Sequence, residues 1–159
     1  MKVRTIILFN LIAMCLNANA QAREPSETQQ LETRNSIFSL PPFERAVCCI
    51  KYYEGMHRKK DYPYVGYGHK LRPGETYSSN MSLKAADALL RRDLQSLCAM
   101  FNKYGKDSLL LAALAYNVGP GKVLGCKGKW PKSNLLKKIE AGIRDFKEDY
   151  VRPDRKSGS

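Results

Sequence analysis

The feature that constrains the fold most is an almost unbroken apolar segment from Leu109 to Val118. Asp107 precedes it at a position suited to an N-cap, and Gly119-Pro-Gly121 follows it, so the sequence predicts one helix between these signals. A helix that is apolar on every side is normally buried on every side. We therefore expect a core helix that other helices surround.

Two kinds of local pattern flank this core helix. Lys59–Lys70 is rich in Tyr, Gly and Pro, which favours short strands and tight turns. Most of the remaining chain from residue 41 to 151 has helical spacing of its apolar residues. We therefore predict an α+β chain that is mainly α, with a small β-hairpin lobe beside a helical lobe around the core helix. The other predicted helices span about 41–57, 82–105, 133–140 and 143–150, with Ser82 and Ser133 as N-caps.

The first twenty residues have the three-part layout of a cleavable secretory signal. Met1–Arg4 is a short basic start, Thr5–Leu16 is an apolar run, and Asn17–Ala20 offers an Ala-x-Ala cleavage site. The apolar run is short for a transmembrane helix, so an uncleaved signal-anchor is the second interpretation. We expect export to the periplasm or the extracellular space. The predicted organisation is a signal peptide at 1–20, a linker at 21–40, a folded domain at 41–151 and a loose tail at 152–159.

The net positive charge of the chain limits the kinds of molecule that it is expected to bind. Cleavage after Ala20 would remove two basic residues and no acid, which lowers the net charge of +12 to +10. An exported basic protein without a nucleic-acid-binding motif is not expected to bind nucleic acid. The anionic polymers outside the membrane are cell wall and surface polysaccharide. We also expect no stable insertion into a membrane, and a monomer.

Four cysteines remain after the predicted signal: Cys48, Cys49, Cys98 and Cys126. They allow three pairings, and the sequence does not select one. Export permits disulfides, although a bond between the adjacent Cys48 and Cys49 would be strained. Buried thiols are the equally open alternative. No Cys-x-x-Cys motif or His/Cys cluster suggests zinc, so we expect neither a metal nor a cofactor.

One acidic residue lies on an apolar helix face. At 100° per residue, Glu54 falls on the stripe that Phe43, Val47 and Ile50 form. Burying an ionised carboxylate is costly, so such a group takes up a proton or finds a partner. A carboxyl that keeps its proton near neutral pH is what a general acid for glycoside cleavage requires. On helix geometry alone, a Glu that turns to solvent or pairs with Lys or Arg is the more common case.

Five motifs from about residue 43 to 146 occur in an order that is typical of one family. They are Tyr53-Glu54-Gly55, the hairpin Tyr64–His69, the helical segment Ala86–Leu94, the helix end Ala115–Gly119, and Ser133–Ile139. This ordered set resembles the phage-type lysozymes of glycoside hydrolase family 24. The resemblance implies a lysozyme-like fold without a cofactor. It also implies hydrolysis of the β-1,4 bond between N-acetylmuramic acid and N-acetylglucosamine in peptidoglycan.

The resemblance implies roles for individual residues. Glu54 matches the family's general acid. His69 and Asp93 match a pair that ties the hairpin to the long helix, and Gly66 and Gly68 belong to the hairpin that flanks the cleft. The family's second carboxylate is an Asp on the hairpin side, which holds the attacking water in an inverting mechanism.

The sequence departs from the family pattern at this second carboxylate. Asp61 is the only acid between Glu54 and the hairpin, and it is our candidate, although it lies seven residues after Glu54 instead of about nine. Tyr64 stands where the family has Thr. His57 is an alternative base or orienting group, and Tyr64 and Tyr67 could stack on sugar rings or pack the small sheet.

These departures leave two further functions open. One is a catalytically impaired lysozyme-like domain that binds glycan strands without turnover. The other is a lytic transglycosylase, which needs an acid but no Asp to hold water.

Overall fold

The computed structural model describes residues 37–146. Within this range the chain is mainly helical with one two-stranded antiparallel sheet, which confirms the predicted α+β class. The helices are α1 (Pro42–Glu54), α2 (Leu83–Met100), α3 (Ser108–Val118), α4 (Pro120–Leu124) and α5 (Asn134–Glu140), and the strands are β1 (Tyr64–Val65) and β2 (His69–Lys70). Short 3-10 helices span Ile37–Ser39, Lys59–Asp61 and Asn102–Asp107.

The apolar segment forms the central helix, as predicted. α3 packs chiefly against α2 and α4. Each fully buried leucine contributes about 1.5–3 kcal/mol relative to an exposed one, so this helix is a large part of what holds the lobe together. Its buried residues are Leu110, Leu111, Ala112, Ala113 and Ala115.

Two of the three predicted serine and aspartate caps are present. Ser82 accepts a hydrogen bond from the backbone N–H of Ala85, and Ser133 accepts one from Leu136, both at 3.2 Å. The predicted cap at Asp107 is wrong. Asp107 has φ −89° and ψ −4°, which is already helical, whereas an N-cap residue is normally extended. Its carboxylate instead accepts hydrogen bonds from Arg144 at 2.7 Å.

Two helix ends and one predicted helix differ from the prediction. α1 stops at Glu54 because Gly55 turns the chain with φ +64°, and His57 then donates its backbone N–H to Gly66 of the hairpin. α2 stops at Met100, and a 3-10 segment with Gly105 at φ +54° follows it. The last predicted helix is absent from residues 143–146, and the remainder of it lies outside the described residues.

The predicted signal peptide, most of the linker and the tail lie outside the described residues. Ile37, near the end of the predicted linker, packs against the hydrophobic core, so the folded part of the chain includes the last linker residues. Cys49 is buried in the core, and Cys48, Cys98 and Cys126 form no disulfide within the described range. From residue 37 to 146, no helix is long and apolar enough to cross a membrane.

The hairpin is short and depends on its contact with α2. Tyr64 pairs with Lys70 and Val65 pairs with His69, which leaves a turn of three residues. Gly66 begins this turn with φ +57°, and a Cβ there would lie 3.1 Å from the sulfur of Met81. The hairpin backbone can therefore approach the start of α2 only because this residue has no side chain.

An ion-pair network joins α1 to α2. Arg91 donates to both carboxylate oxygens of Glu44, at 2.5 and 2.8 Å, and to Asp87 at 2.6 Å. Lys51 donates to the other oxygen of Asp87 at 2.8 Å. The hydrogen bonds from Arg91 lower the pKa of Glu44, and those from Lys51 and Arg91 lower the pKa of Asp87.

The connection between α4 and α5 is a tight hairpin. Cys126 and Trp130 exchange backbone hydrogen bonds of 2.7 and 2.9 Å. Gly125, which precedes them, has φ +82°, and a Cβ there would lie 2.8 Å from the backbone nitrogen of Lys132. Any side chain at this position would force the backbone apart.

We expect Gly125→Ala to destabilise the fold by about 1–3 kcal/mol, because it adds both a strained φ and a backbone clash. The matched control is Gly121→Ala in α4, where a Cβ meets no atom within 4 Å. Urea unfolding should show this control unchanged or stabilised by up to about 1 kcal/mol. Equal free energies of unfolding for the two variants would contradict the assignment.

We expect Glu44→Gln to lower stability at neutral pH but not in acid. The lowered pKa of Glu44 means that its carboxylate stabilises the fold above the ordinary value of 4.5 and that this contribution disappears as the pH falls through the lowered pKa. The Glu44 and Arg91 side chains are 36% and 34% exposed, so the difference at neutral pH should stay below about 1 kcal/mol. Urea unfolding of both proteins across this range tests the prediction, and a gap that persists in acid would contradict it.

Candidate active site

A cavity of about 500 Å³ lies where the ends of α1 and α3 meet the hairpin and the loop before it. This volume is in the range of sites that bind small molecules or short oligomers. One continuous stretch, from the end of α1 to the hairpin, therefore builds the site together with the distant end of α3. Its lining residues are Tyr53, Glu54, Met56, His57, Arg58, Lys60, Asp61, Tyr64, Gly68, Tyr116 and Asn117.

Glu54 stands at the last position of α1 and lines this cavity. The stripe that predicted its direction is real, because Val47 and Ile50 are buried and Glu54 follows one turn later, half-buried. Gly68 of the hairpin turn lies against its carboxyl: a Cβ at Gly68 would sit 3.5 Å from Oε2. With φ +98° and this close approach, Gly68 lets the turn backbone cover one side of the carboxyl group.

Asp61 lines the same cavity as Glu54, as a two-carboxyl site requires. It ends the 3-10 helix Lys59–Asp61, and its Oδ2 accepts a hydrogen bond of 2.7 Å from the backbone N–H of Arg58. This bond fixes the carboxylate in the short loop. Arg58 and Lys60 also line the cavity, so it contains cationic as well as acidic groups.

His57 and Tyr64 form one wall of the cavity. Their ring centroids are 5.9 Å apart, and Tyr64 is 39% exposed. His57 is anchored through its backbone, which donates to Gly66 at 2.8 Å. Its Nδ1 atom is buried and makes no hydrogen bond within the described part of the chain. Both residues therefore line the cavity that contains Glu54, and their contact with a substrate stays a prediction.

Tyr67 does not lie in this wall, and its predicted stacking role needs correction. Its side chain is only 8% exposed and belongs to the hydrophobic core, with Lys51 Nζ 5.4 Å from the ring centroid. The turn between Gly66 and Gly68 directs this ring inward instead of towards the cavity. Tyr67 therefore packs the hairpin onto the helical lobe, which was the alternative interpretation of the sequence.

The site includes two residues of α3 that the sequence analysis did not assign to it. The Tyr116 hydroxyl donates to the backbone oxygen of Tyr67 at 2.9 Å, and it ties the hairpin turn to the core helix. Burial, and then the negative charges of Asp93 and Glu54, raise the pKa of Tyr116, so it remains a hydroxyl donor. Asn117 donates to Ala113 within the helix at 3.0 Å. The sequence did contain a sign that these two residues belong to a site, because they are polar and stand at the end of an otherwise apolar helix.

The predicted contact between His69 and Asp93 is present. His69 Nδ1 lies 2.5 Å from Asp93 Oδ2, and Nε2 lies 2.8 Å from Glu75 Oε2. His69 is 5% exposed, so this contact is sheltered from water. The backbone N–H of Arg72 and the His69 ring lower the pKa of Glu75. The hairpin, the following loop and α2 are thereby joined through one imidazole.

Comparison with known families places the site in context. The sequence model of the family described as phage lysozyme matches residues 51–152, which is more than half of the chain. The chain belongs to the phage lysozyme family. Every residue that lines the cavity falls inside the matched range. Lysozymes are glycosidases, so family membership assigns the chain to the peptidoglycan hydrolases as a general class.

The other two comparisons add no relative to this family assignment. No curated protein matches the chain, and no solved structure matches it. Among residues 37–146, no group of three His, Cys, Asp or Glu side chains is placed to hold a metal ion.

Proposed function

We propose that the protein is an inverting muramidase that hydrolyses the β-1,4 bond between N-acetylmuramic acid and N-acetylglucosamine in peptidoglycan. The observation that carries this proposal is that Glu54 and Asp61 line one cavity, within a chain of the phage lysozyme family. Two carboxyl groups on opposite sides of a glycosidic bond are the minimum that an inverting glycosidase requires.

Glu54 is the general acid in this proposal. It would donate its proton to the glycosidic oxygen of the leaving sugar while the bond breaks. Its position at the end of α1 places the carboxyl group at the cavity, where a glycan strand would bind. The backbone of Gly68 lies next to Oε2 and covers one side of the carboxyl group.

Asp61 would orient the attacking water on the opposite face of the sugar. In inverting enzymes the two carboxyl groups stand roughly 6.5–9.5 Å apart, which leaves room for that water. The hydrogen bond from Arg58 occupies Oδ2 and holds the side chain in one orientation. The second carboxylate oxygen is the group that would accept the proton of the water.

His57 and Tyr64 would position the glycan in the proposed complex. The exposed face of Tyr64 suits stacking on a sugar ring, and the His57 ring lines the cavity beside it. His57 is also the second candidate for orienting the attacking water if Asp61 only shapes the loop.

We further propose that the protein acts outside the cytoplasmic membrane. The support is the basic start, apolar run and Ala-x-Ala site of residues 1–20, together with the positive charge that remains after cleavage. A positively charged enzyme is concentrated on an anionic cell wall by long-range attraction.

Glu54→Gln should reduce the release of soluble muropeptides from purified sacculi by at least about 10²–10⁴-fold, because the amide has nearly the same shape but no acidic proton. Glu44→Gln makes the same chemical change on the same helix outside the cavity, and it should keep full activity. Thermal unfolding checks that both variants are folded. A folded Glu54→Gln protein with near-normal turnover would remove Glu54 from the mechanism.

Asp61→Asn and Asp61→Ala separate the charge of this residue from its hydrogen bond. Asn can still accept the Arg58 N–H but cannot take a proton from water, so we expect both variants to lose hydrolysis by about 10²-fold or more. His57→Ala is assayed beside them. If only Asp61→Ala is impaired, Asp61 shapes the loop and does not act on the water. A loss of activity in His57→Ala would then indicate that His57 orients the attacking water.

Product analysis distinguishes the remaining functions. Mass spectrometry of products with reducing N-acetylmuramic acid ends supports hydrolysis. Anhydromuramyl ends would instead show a lytic transglycosylase, and glycan binding without any release would show an impaired, binding-only domain.

A further inference from the structure

The segment made of α4 and its connection to α5 has a composition that catalysis does not explain. We define the basic hairpin as residues 120–132, which include α4 and the Cys126–Trp130 turn. None of these residues lines the cavity. The segment contains four lysines and no acidic residue. It also contains no Ser, Thr, Asn or Gln, so none of its side chains carries an oxygen that can accept a hydrogen bond.

Within residues 37–146, three of these four lysines form no ion pair. Lys132 pairs with Glu140 at 2.8 Å. Lys127 and Lys129 are exposed at the tip and make no ion pair within the described residues. Lys122 holds its ammonium 5.1 Å from the centre of the Trp130 ring. The tip therefore groups lysines around one aromatic side chain, and no acidic residue of the described range pairs with Lys122, Lys127 or Lys129.

Trp130 is the only tryptophan in the sequence, and its large side chain is 44% exposed. An indole has an apolar body and a polar N–H, and it is favoured at the boundary between a lipid bilayer and water. Lysines beside it can extend their apolar stems along such a boundary while their ammonium groups reach the headgroups.

The basic hairpin is held in shape before any partner binds. Backbone hydrogen bonds join Cys126 and Trp130 in both directions. The backbone N–H of Ser133 also donates to the carbonyl oxygen of Val123 at 3.1 Å, which joins the two ends of the segment. Gly125 permits the close approach to Lys132 that closes the turn. A preformed surface loses little conformational entropy when it binds.

We propose that the basic hairpin docks the protein peripherally on a bilayer that contains anionic phospholipids. Phosphate headgroups need only cations and hydrogen-bond donors, which is what this segment offers. Recognition of sugar hydroxyls uses acceptors as well, and the side chains of this segment supply none. No residue of the basic hairpin lines the cavity, so membrane attachment and the proposed cleavage use different residues.

The single tryptophan makes the proposal directly testable in the full-length chain. We would titrate the protein with vesicles of phosphatidylcholine alone and of equimolar phosphatidylcholine and phosphatidylglycerol, and record the emission of Trp130. The anionic vesicles should shift the emission to shorter wavelength, and the neutral vesicles should not. This readout reports the hairpin itself, even if the apolar run Thr5–Leu16 also contacts the vesicles.

Charge variants test which lysines act. Each lysine close to an anionic surface strengthens binding about fivefold, so Lys127→Gln with Lys129→Gln should raise the vesicle concentration at half-maximal shift about 25-fold, and Lys127→Gln alone about fivefold. The control is Lys84→Gln with Lys106→Gln, which removes the same charge from exposed positions of α2 and the 3-10 helix before α3. It should change the titration by no more than about twofold, because these lysines lie outside the hairpin.

Four outcomes would overturn the proposal. They are no emission shift with anionic vesicles, an equal shift with neutral vesicles, an equal loss in the hairpin and control variants, and a shift produced by purified peptidoglycan but not by vesicles. The last would assign the basic hairpin to the wall polymer. Sacculus hydrolysis by the hairpin variants is measured in parallel, and it should equal that of the Lys84→Gln, Lys106→Gln control of the same net charge, which separates this test from the test of the proposed function.

Discussion

The contact of His69 with Asp93 is the interaction on which the arrangement of the two lobes depends. Two strands of two residues each cannot form a stable unit in water by themselves. His69 is buried where the hairpin meets α2, and one ring nitrogen lies 2.5 Å from Asp93 while the other lies 2.8 Å from Glu75. Because this contact anchors the hairpin, its turn can lie against the end of α1. The cavity exists only in that arrangement.

The hairpin turn then serves two opposite surfaces of the molecule. The Tyr67 side chain points into the core, and its backbone carbonyl accepts a hydrogen bond from the Tyr116 hydroxyl, which connects the turn to α3. Gly68, the next residue, lies against the Glu54 carboxyl. One side of the turn therefore contributes packing and the other shapes the site. A side chain at Gly68 would be strained by the positive φ, and its Cβ would lie in van der Waals contact with the carboxyl group.

The proposed chemistry and the proposed membrane contact lie on separate parts of the chain. The cavity is lined by residues between Tyr53 and Asn117 and combines carboxyl groups with the basic side chains of Arg58 and Lys60. The basic hairpin follows after α3 and carries lysines without any acid. This division is physically reasonable, because a general acid requires a local environment that controls its proton, whereas docking on an anionic surface requires basic side chains grouped at one exposed place.

The sequence by itself determined what depends on local spacing. The core helix, the serine caps at Ser82 and Ser133, the direction of Glu54 and the short strands all follow from periodicity and turn chemistry within about ten residues. Tertiary structure decided the rest. Asp107 does not cap the core helix, because the chain kinks at Gly105 just before it and its carboxylate binds Arg144 instead. The Tyr67 ring points inward because it packs into the hydrophobic core. Tyr116 and Asp61 became neighbours of one cavity only through packing between distant segments, and no local pattern contains that information.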